Sequence, residues 1–220
     1  MALPPKFSGH RLTFTDSTPS SSSSSAPLHT LEFYLDYVCP FSAKIFKTLT
    51  NTLIPHILAN PNLSSRLQLI IRQQIQPWHP SSTLVHEAAL AVNRLANGDP
   101  YKFLAFSEAL FLDQRAYFDE ALVDEPRNET YKRLAKLAAE SAGLDEGQVY
   151  KLLEVKKADG QEVKNAGNEV TNDVKMIVKM ARLTGVHVTP TVLFNGVVAG
   201  EISSGWTQEQ WEDWLRENIV

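Results

Sequence analysis

Cysteine is nearly absent from the 220-residue sequence, which contains one, Cys39. A single thiol excludes any disulfide within the chain and any zinc site built from several cysteines, and we expect no metal site. No apolar run approaches the roughly 20 residues needed to span a bilayer. The first residues also lack the apolar stretch of a secretory signal peptide. We therefore expect a cytoplasmic protein with no membrane partner.

An excess of either charge is also lacking, since 21 basic and 25 acidic residues leave a formal net charge of −4. The basic residues are scattered, and the short group of Lys132, Arg133 and Lys136 is typical of a solvated helix face. We therefore expect no nucleic-acid partner. The hydrophobic fraction of 43% is ordinary for a globular protein and supports one domain, with or without an insertion.

Residues 17–27 form a low-complexity segment rich in serine. Such a segment cannot bury enough apolar surface to offset the entropy lost on ordering, so it is predicted to be a mobile linker. Before it, residues 11–15 alternate between polar and apolar and predict an edge strand. We treat residues 1–29 as an N-terminal arm followed by this linker.

The next part of the chain, residues 30–76, has the pattern of a strand, a helix and a second strand. Thr30–Val38 and Arg66–Ile75 are rich in β-branched and aromatic or aliphatic residues, and Phe41–Leu58 has one apolar helical face. A right-handed βαβ unit is the natural arrangement. Residues 77–165 then read as consecutive helices, which predicts a helical insertion.

The last part, residues 166–220, returns to alternating elements. Val163–Leu183 is predicted to be a helix and Pro190–Phe194 a strand. Asn195–Gly196 is a strong signal for a hairpin turn, and Thr207 begins a capping-box pattern that opens the last helix. The predicted class is α/β, with a parallel pair, an antiparallel hairpin and flanking helices.

Cys39 lies between the predicted strand Thr30–Val38 and the helix that follows it. Pro40 fits the first helical position, where a missing N–H has no cost. The Cys39 sulfur then faces unpaired backbone N–H groups and the positive end of the helix dipole. Both favour the thiolate, which is the nucleophilic form. Cys39 is therefore the candidate reactive residue.

Three segments resemble motifs of the DsbA-like thiol–disulfide oxidoreductases. Tyr37–Ser42 resembles their Cys-Pro-x-Cys active site, and Gln76–Pro80 resembles the entry to their helical insertion. Gly185–Gly196 resembles their Gly-Val-x-Gly-Thr-Pro-Thr loop, in which the proline is cis. The resemblance covers about residues 30–218. It implies a thioredoxin fold with an inserted helical subdomain.

The resemblance places Cys39 and Ser42 at the catalytic positions. The candidate substrate-binding residues are Pro40, Phe41, Trp78, His79, Thr189 and Pro190. A cis bond before Pro190 is expected to set the backbone of Thr189 opposite Cys39, where extended thiol ligands pair with this fold as strands do.

Two residues depart from the family pattern. Ser42 stands where the family has its second cysteine, so the chain alone cannot cycle between a dithiol and a disulfide. Ser42 either donates a hydrogen bond to the Cys39 thiolate in a monothiol site, or is an isostere left after loss of redox function. Val188 replaces a glycine often found before Thr-Pro, which narrows the loop facing Cys39.

Several polar residues have two interpretations. His79 and His86 are two helical turns apart. Either both line the groove, one of them as a base or orienting group, or one is a helix-entry histidine and the other a surface histidine; we expect the second arrangement.

Trp78 is expected to pack at the domain junction, although it could wall a pocket. Glu32 and Asp36 are expected to be exposed; a buried acid below Cys39 would be a proton relay.

The leading hypothesis is a monothiol protein in which Cys39 takes part in thiol exchange or binds a thiol. The first alternative is a glutathione-dependent transferase or isomerase acting on a small molecule without net redox change, and the second is a non-catalytic module that binds a peptide or ligand. We expect no bound cofactor, with glutathione as a candidate co-substrate and a small molecule or thiol as substrate. The oligomeric state is open, a homodimer being one candidate.

Overall fold

Five strands form one sheet in the computed structural model, which describes residues 3–14, 27–160 and 162–219. The strands are β1 (Arg11–Leu12), β2 (His29–Leu35), β3 (Leu67–Gln73), β4 (Thr191–Phe194) and β5 (Val197–Val198). Most of the serine-rich segment predicted to be a linker, all but Pro27, lies outside the described residues.

The strand order is β1-β3-β2-β4-β5. The central strands β2 and β3 are parallel, with Phe33 opposite Ile71, and the other three pairings are antiparallel. A parallel pair joined by a helical crossover, extended by an antiparallel hairpin, is the thioredoxin arrangement. The predicted α/β class is confirmed.

After the turn that follows β2, the crossover to β3 is helical except at the extended residue Asn60. It consists of α1 (Pro40–Thr48), a π-helical turn (Leu49–Leu53), α2 (Ile54–Ala59) and α3 (Pro61–Arg66). Pro55, which the sequence pattern predicts to kink or end the helix, lies in the first turn of α2. Because the π turn changes the hydrogen-bonding pattern just before it, the missing N–H of Pro55 is accommodated without ending the crossover.

Between β3 and α9, the described residues form helices and no strand. These helices are α4 (Ser82–Leu95), α5 (Pro100–Leu112), α6 (Asp119–Leu122), α7 (Arg127–Ala142) and α8 (Glu146–Leu153), with a 3₁₀ turn at Gln114–Tyr117. Gly143 ends α7 in the left-handed conformation, at φ 62°, as its position in the sequence predicts.

The helix after the insertion, α9 (Thr171–Thr184), begins later than the predicted Val163. Gly167 has a φ of 73°, which interrupts a helix. The side chain of Asn168 then accepts a hydrogen bond from the Val170 N–H, 3.2 Å away, and donates one to Leu153 O. These contacts hold the chain in a turn and delay the start of α9.

The core lies on both faces of the sheet and continues into the helical segment. Buried aromatic residues mark its extent: Phe33 and Trp211 pack at one end, while Phe106 lies among the helices. The Asn195–Gly196 turn has φ values of 50° and 84°, as a type I′ hairpin requires. None of the described helices is long and apolar enough to cross a membrane.

The last helix, α10 (Gln208–Asn218), begins with the predicted capping box. Thr207 Oγ1 accepts a hydrogen bond from the Gln210 N–H, and Gln210 Oε1 accepts one from the Thr207 N–H at 2.9 Å. The cap orients the helix that buries Trp211, Trp214 and Leu215.

We expect Thr207→Ala to lower the free energy of unfolding by about 1 kcal/mol, because it removes the acceptor for the Gln210 N–H. Urea denaturation at neutral pH measures this loss. Thr207→Ser keeps the hydroxyl and is the matched control. Equal losses for the two variants would contradict a capping role.

Candidate active site

Cys39 is the N-cap residue of α1, directly after the turn that follows β2. Its N–H donates to Asp36 O at 3.1 Å, and its own carbonyl accepts from the Ala43 N–H at 3.1 Å. The residue is buried, and its Sγ lies 3.5 Å from the carbonyl oxygen of Thr189. The structure thus places the sulfur at a helix N-terminus and beside the loop before β4.

The loop opposite Cys39 contains a cis peptide bond between Thr189 and Pro190. When the Gln76 side-chain amide is oriented to satisfy its neighbours, its oxygen accepts from the Thr189 N–H at 2.8 Å and its nitrogen donates to His187 O at 3.2 Å. A ligand pairing with Thr189 would have to replace Gln76 at this N–H, whereas the Thr189 carbonyl faces the sulfur.

Gln114 was not singled out by the sequence, although it holds the turn that carries Cys39. Its Nε2 donates to Tyr37 O at 2.7 Å and to Cys39 O at 3.0 Å. Gln114 comes from the 3₁₀ turn after α5, so the helical segment directly supports the Cys39 turn. A single glutamine in a helical region carries no sequence signal for this role.

Asp36 is fully buried below the Cys39 turn, so the expectation of an exposed acid is wrong. Its Oδ1 accepts from the Val38 N–H at 3.1 Å and from Ser82 Oγ at 3.0 Å. Its Oδ2 accepts from the Gln76 N–H at 3.1 Å and from His79 Nδ1 at 2.9 Å. Asp36 lies just beyond the end of β2, where the alternation of a strand no longer governs burial.

These donors determine the charge of Asp36. Burial alone raises the pKa of the carboxyl group, but the hydrogen bond and charge of His86 oppose it, with smaller contributions from His79 and the Val38 N–H. The net result is a pKa below the ordinary value. Asp36 is therefore a carboxylate at neutral pH, with its oxygens surrounded by donors.

The second acid expected to be exposed, Glu32, is also buried. It lies in β2 and its Oε2 is 2.6 Å from Arg72 Nε in the neighbouring strand β3. A buried carboxylate with such a partner is a structural ion pair within the sheet. Glu32 and Asp36 therefore act at different places, and only Asp36 supports the Cys39 turn.

The two histidines meet at Asp36. His79 has a quarter of its side chain exposed, whereas His86 is fully buried. The expectation that His86 is a surface residue is therefore wrong. Its Nε2 lies 3.5 Å from Asp36 Oδ1, and its Nδ1 donates to Gln73 Oε1 at 2.9 Å. An orienting role for one of the pair fits this geometry better.

Ser42 is fully buried one turn into α1. Its Oγ accepts a hydrogen bond from the Asp36 N–H at 3.2 Å, and no hydrogen bond joins it to Cys39 among the described contacts. The hydrogen bond that the Ser42 hydroxyl could donate to the Cys39 sulfur is therefore absent from this conformation. The hydroxyl instead satisfies a buried backbone donor.

Three apolar side chains next to the site are exposed. Phe41 is 63% exposed and Val188 48%. Trp78 is 58% exposed, so the expectation that it packs at a domain junction is wrong. The short turn before α4 carries Trp78 outwards, with its ring edge-on to His79.

A cavity of about 190 Å³ lies on the insertion side of Pro40. The residues that line it are Val38, Pro40, His79, Ser81, Phe118, Asp119 and Glu120. The predicted site residues Pro40 and His79 therefore share one cavity, whereas Thr189 and Pro190 are not among the residues that line it. Within the described residues, no group of three or more His, Cys, Asp or Glu could hold a metal ion.

A sequence model of the thioredoxin family matches residues 22–217. The chain belongs to this family. No curated protein sequence matches it significantly. Similar solved structures show the same fold, including a candidate protein-disulfide isomerase from Pseudomonas syringae, with 23% identity, a TM-score of 0.67 and coverage of 94% of this chain and 97% of that one.

Two thioredoxin-fold proteins of Mycobacterium tuberculosis are also similar. The oxidised DsbA has 23% identity and a TM-score of 0.56 and covers 96% of this chain and 92% of its own. The reduced disulfide bond oxidoreductase DsbG has 19% identity and a TM-score of 0.59, with coverage of 95% and 86%. Because the match spans nearly the whole of each chain, the helical segment is part of the shared architecture.

We expect Asp36→Asn to lower the free energy of unfolding by about 3 kcal/mol at pH 7, because it removes one partner of a buried charged cluster. Since the folded-state pKa of Asp36 is depressed, its contribution is complete above the unfolded value of about 4 and is lost as the pH falls below it. Urea denaturation from pH 7 to pH 3 should show the gap narrowing. A gap of constant size would contradict this assignment.

Proposed function

We propose that the protein is a monothiol thiol–disulfide exchange protein in which Cys39 is the nucleophile. The observation that carries the proposal is the position of the Cys39 sulfur, at the N-terminus of α1 and 3.5 Å from the Thr189 carbonyl. A helix N-terminus stabilises a thiolate. The single cysteine limits the site to one-thiol chemistry.

The exchange has two steps. The Cys39 thiolate attacks one sulfur of a substrate disulfide, forms a mixed disulfide and releases the other sulfur as a thiolate. An external thiolate then attacks the mixed disulfide, restores the Cys39 thiolate and leaves with the substrate sulfur as a new disulfide. No net oxidant is needed, and glutathione is the proposed external thiol.

The exposed apolar side chains around Cys39 favour a substrate that has an apolar surface of its own. Phe41, Trp78 and Val188 each neighbour a site residue in sequence and are exposed, so they offer apolar contacts. The names of the similar proteins refer to disulfide isomerisation and oxidoreduction in those proteins. This agreement supports thiol–disulfide exchange as the reaction class for the present chain.

A second candidate is a transferase or isomerase acting on a small molecule. The observation that favours it is His79, whose Nδ1 donates to Asp36 while its ring lines the cavity beside Pro40. A histidine oriented by a carboxylate can act as a general base or acid. A substrate held in this cavity would react without a protein disulfide partner.

We expect the wild type to form a mixed disulfide with oxidised glutathione or hydroxyethyl disulfide, seen as one adduct by intact-protein mass spectrometry. Cys39→Ser should form none, because the only thiol is gone. Neither protein should oxidise a dithiol substrate unless an external disulfide is added as the oxidant. If the wild type forms no adduct under conditions in which free cysteine reacts fully, the exchange proposal is wrong and a binding module becomes the better account.

Ser42→Cys should create a Cys-Pro-Phe-Cys pair one helical turn apart, a spacing at which a disulfide closes. We expect this variant to gain insulin disulfide reduction that the wild type lacks, since the helix N-terminus at Cys39 is untouched by the change at Ser42. Ser42→Ala is the matched control for loss of the hydrogen bond to the Asp36 N–H. A disulfide that forms without activity would favour the small-molecule candidate.

A further inference from the structure

The helical segment contains a groove that begins beside the Cys39 turn. The cavity of about 190 Å³ next to Pro40 adjoins a second cavity of about 430 Å³, because Ser81 and Asp119 line both. Ser81 is buried and its Oγ donates to Tyr117 O at 2.6 Å, so it lies in the floor and does not project as a barrier. The two cavities therefore form one groove along α6, which we call the α6 groove.

Apolar side chains line both parts of the α6 groove. Phe118 lines the cavity next to Pro40, and Leu122 lines the one beyond it, both packed partly against the core. Val123 lines the outer cavity and is 79% exposed. Exposed apolar surface that continues over several residues marks an interaction site. Because the groove starts at the residue after Cys39, a chain that lies in it brings its neighbouring disulfide to the sulfur.

Two carboxylates of the α6 groove have no partner. Asp119 and Glu120 line the cavity next to Pro40 and are exposed. Neither makes an ion pair or a side-chain hydrogen bond to any residue that the structure describes. The acidic and basic side chains of the outer cavity, by contrast, are already paired: Arg127 with Glu87 at 3.1 Å, and Glu125 with Arg133 at 2.8 Å. The unpaired charge of the groove is therefore negative and lies at the end nearest Cys39.

Another cavity next to Pro40 has a different charge. It has a volume of about 340 Å³ and lies between α1 and α5. Two lysines of α1, Lys44 and Lys47, and one acid of α5, Glu108, line it, and none of them is in an ion pair within the described part of the chain. The unpaired charge next to Pro40 thus has opposite signs in the two cavities. A basic group is attracted to the α6 groove and not to the α1–α5 cavity.

We propose that the α6 groove binds a basic and apolar segment of a polypeptide substrate, next to the substrate's disulfide. This inference rests on the exchange function proposed for Cys39 and names its substrate class. Apolar side chains of the segment contact Phe118 and Val123, and a lysine or arginine lies against Asp119 and Glu120. A groove with unpaired charge of one sign concentrates ligands of the opposite sign and speeds their association. An extended chain fills two successive cavities, which a small disulfide does not.

The first test measures binding without any thiol reaction. The full-length Cys39→Ser protein is titrated with a short peptide of alternating lysine and leucine that contains no cysteine, and with the same peptide carrying glutamate in place of lysine. We expect the lysine peptide to shift the backbone amide NMR signals of residues 118–123, and the glutamate peptide to shift none of them. Equal shifts by the two peptides, or no shifts by the lysine peptide, overturn the proposal whether or not Cys39 exchanges disulfides.

The second test measures the reaction of wild-type Cys39 with the same two peptides, each extended by a cysteine that carries thionitrobenzoate as a mixed disulfide. The Cys39 thiolate attacks the peptide sulfur, forms a Cys39–peptide disulfide and releases thionitrobenzoate, whose absorbance gives the rate. Each rate is divided by that of free cysteine with the same peptide. We expect the lysine peptide to react on the order of tenfold faster at low ionic strength. In 1 M salt, which screens charges beyond about 3 Å, the preference should fall below about twofold.

Paired variants assign this preference to the groove. Asp119→Asn combined with Glu120→Gln should lower the ratio of the lysine to the glutamate peptide about fivefold. The matched control combines Glu146→Gln and Glu209→Gln, which also removes two exposed acids from the first turn of a helix but leaves the groove unchanged. The control should retain the wild-type ratio within about twofold. Equal losses in the two double variants would show attraction by net charge alone and refute the groove.

The apolar part of the groove is tested with Val123→Ser, which should slow the reaction of the lysine–leucine peptide about threefold because it removes apolar contact. Val163→Ser replaces another exposed valine, outside the groove, and should have no effect. Equal rates in these two variants contradict apolar docking. If the wild type reacts with oxidised glutathione but shows no preference between the peptides, the groove inference alone is wrong. If it reacts with no disulfide, the exchange function is wrong, and the binding titration decides the groove.

Discussion

The buried carboxylate of Asp36 is the interaction on which the rest of the site depends. It accepts donors from its own turn, from the start of the helical segment and from α4, so three separate stretches of chain converge on one side chain. A buried charge of this kind is stable only when every lone pair is used. The position of the Cys39 turn therefore cannot change without disturbing the charge beneath it.

The helical segment is part of the site because it supplies these partners. His79 and Ser82 reach Asp36, and Gln114 holds the carbonyls of Tyr37 and Cys39. On the other side, Gln76 links the Asp36 carboxylate to the loop that ends in the cis Thr189–Pro190 bond. Two neutral amides, those of Gln114 and Gln76, thus hold the surroundings of the Cys39 turn from two directions and add no charge to the site.

The elements that the sequence predicts well are those with local causes. The strand-to-helix junction at Cys39, the Asn195–Gly196 hairpin and the Thr207 cap follow from residues within one turn of each other. The polar network could not be predicted in the same way, because Asp36 and His79 are 43 residues apart in sequence. The prediction that Trp78 is packed was wrong, because large aromatic side chains are usually buried. Whether this one is buried or exposed depends on the path of the surrounding turn, which the sequence pattern does not give.

Ser42 takes the place of a second cysteine and also has a structural role in the turn before α1. At this position a residue must satisfy the buried N–H of Asp36, which Ser42 Oγ does at 3.2 Å. A thiol is a weaker acceptor than a hydroxyl, so a second cysteine here would hold the Asp36 backbone less firmly. Ser42 therefore supports the turn that carries the Asp36 carboxylate and leads to Cys39. The one-thiol site and the buried charge network are consistent parts of a single arrangement.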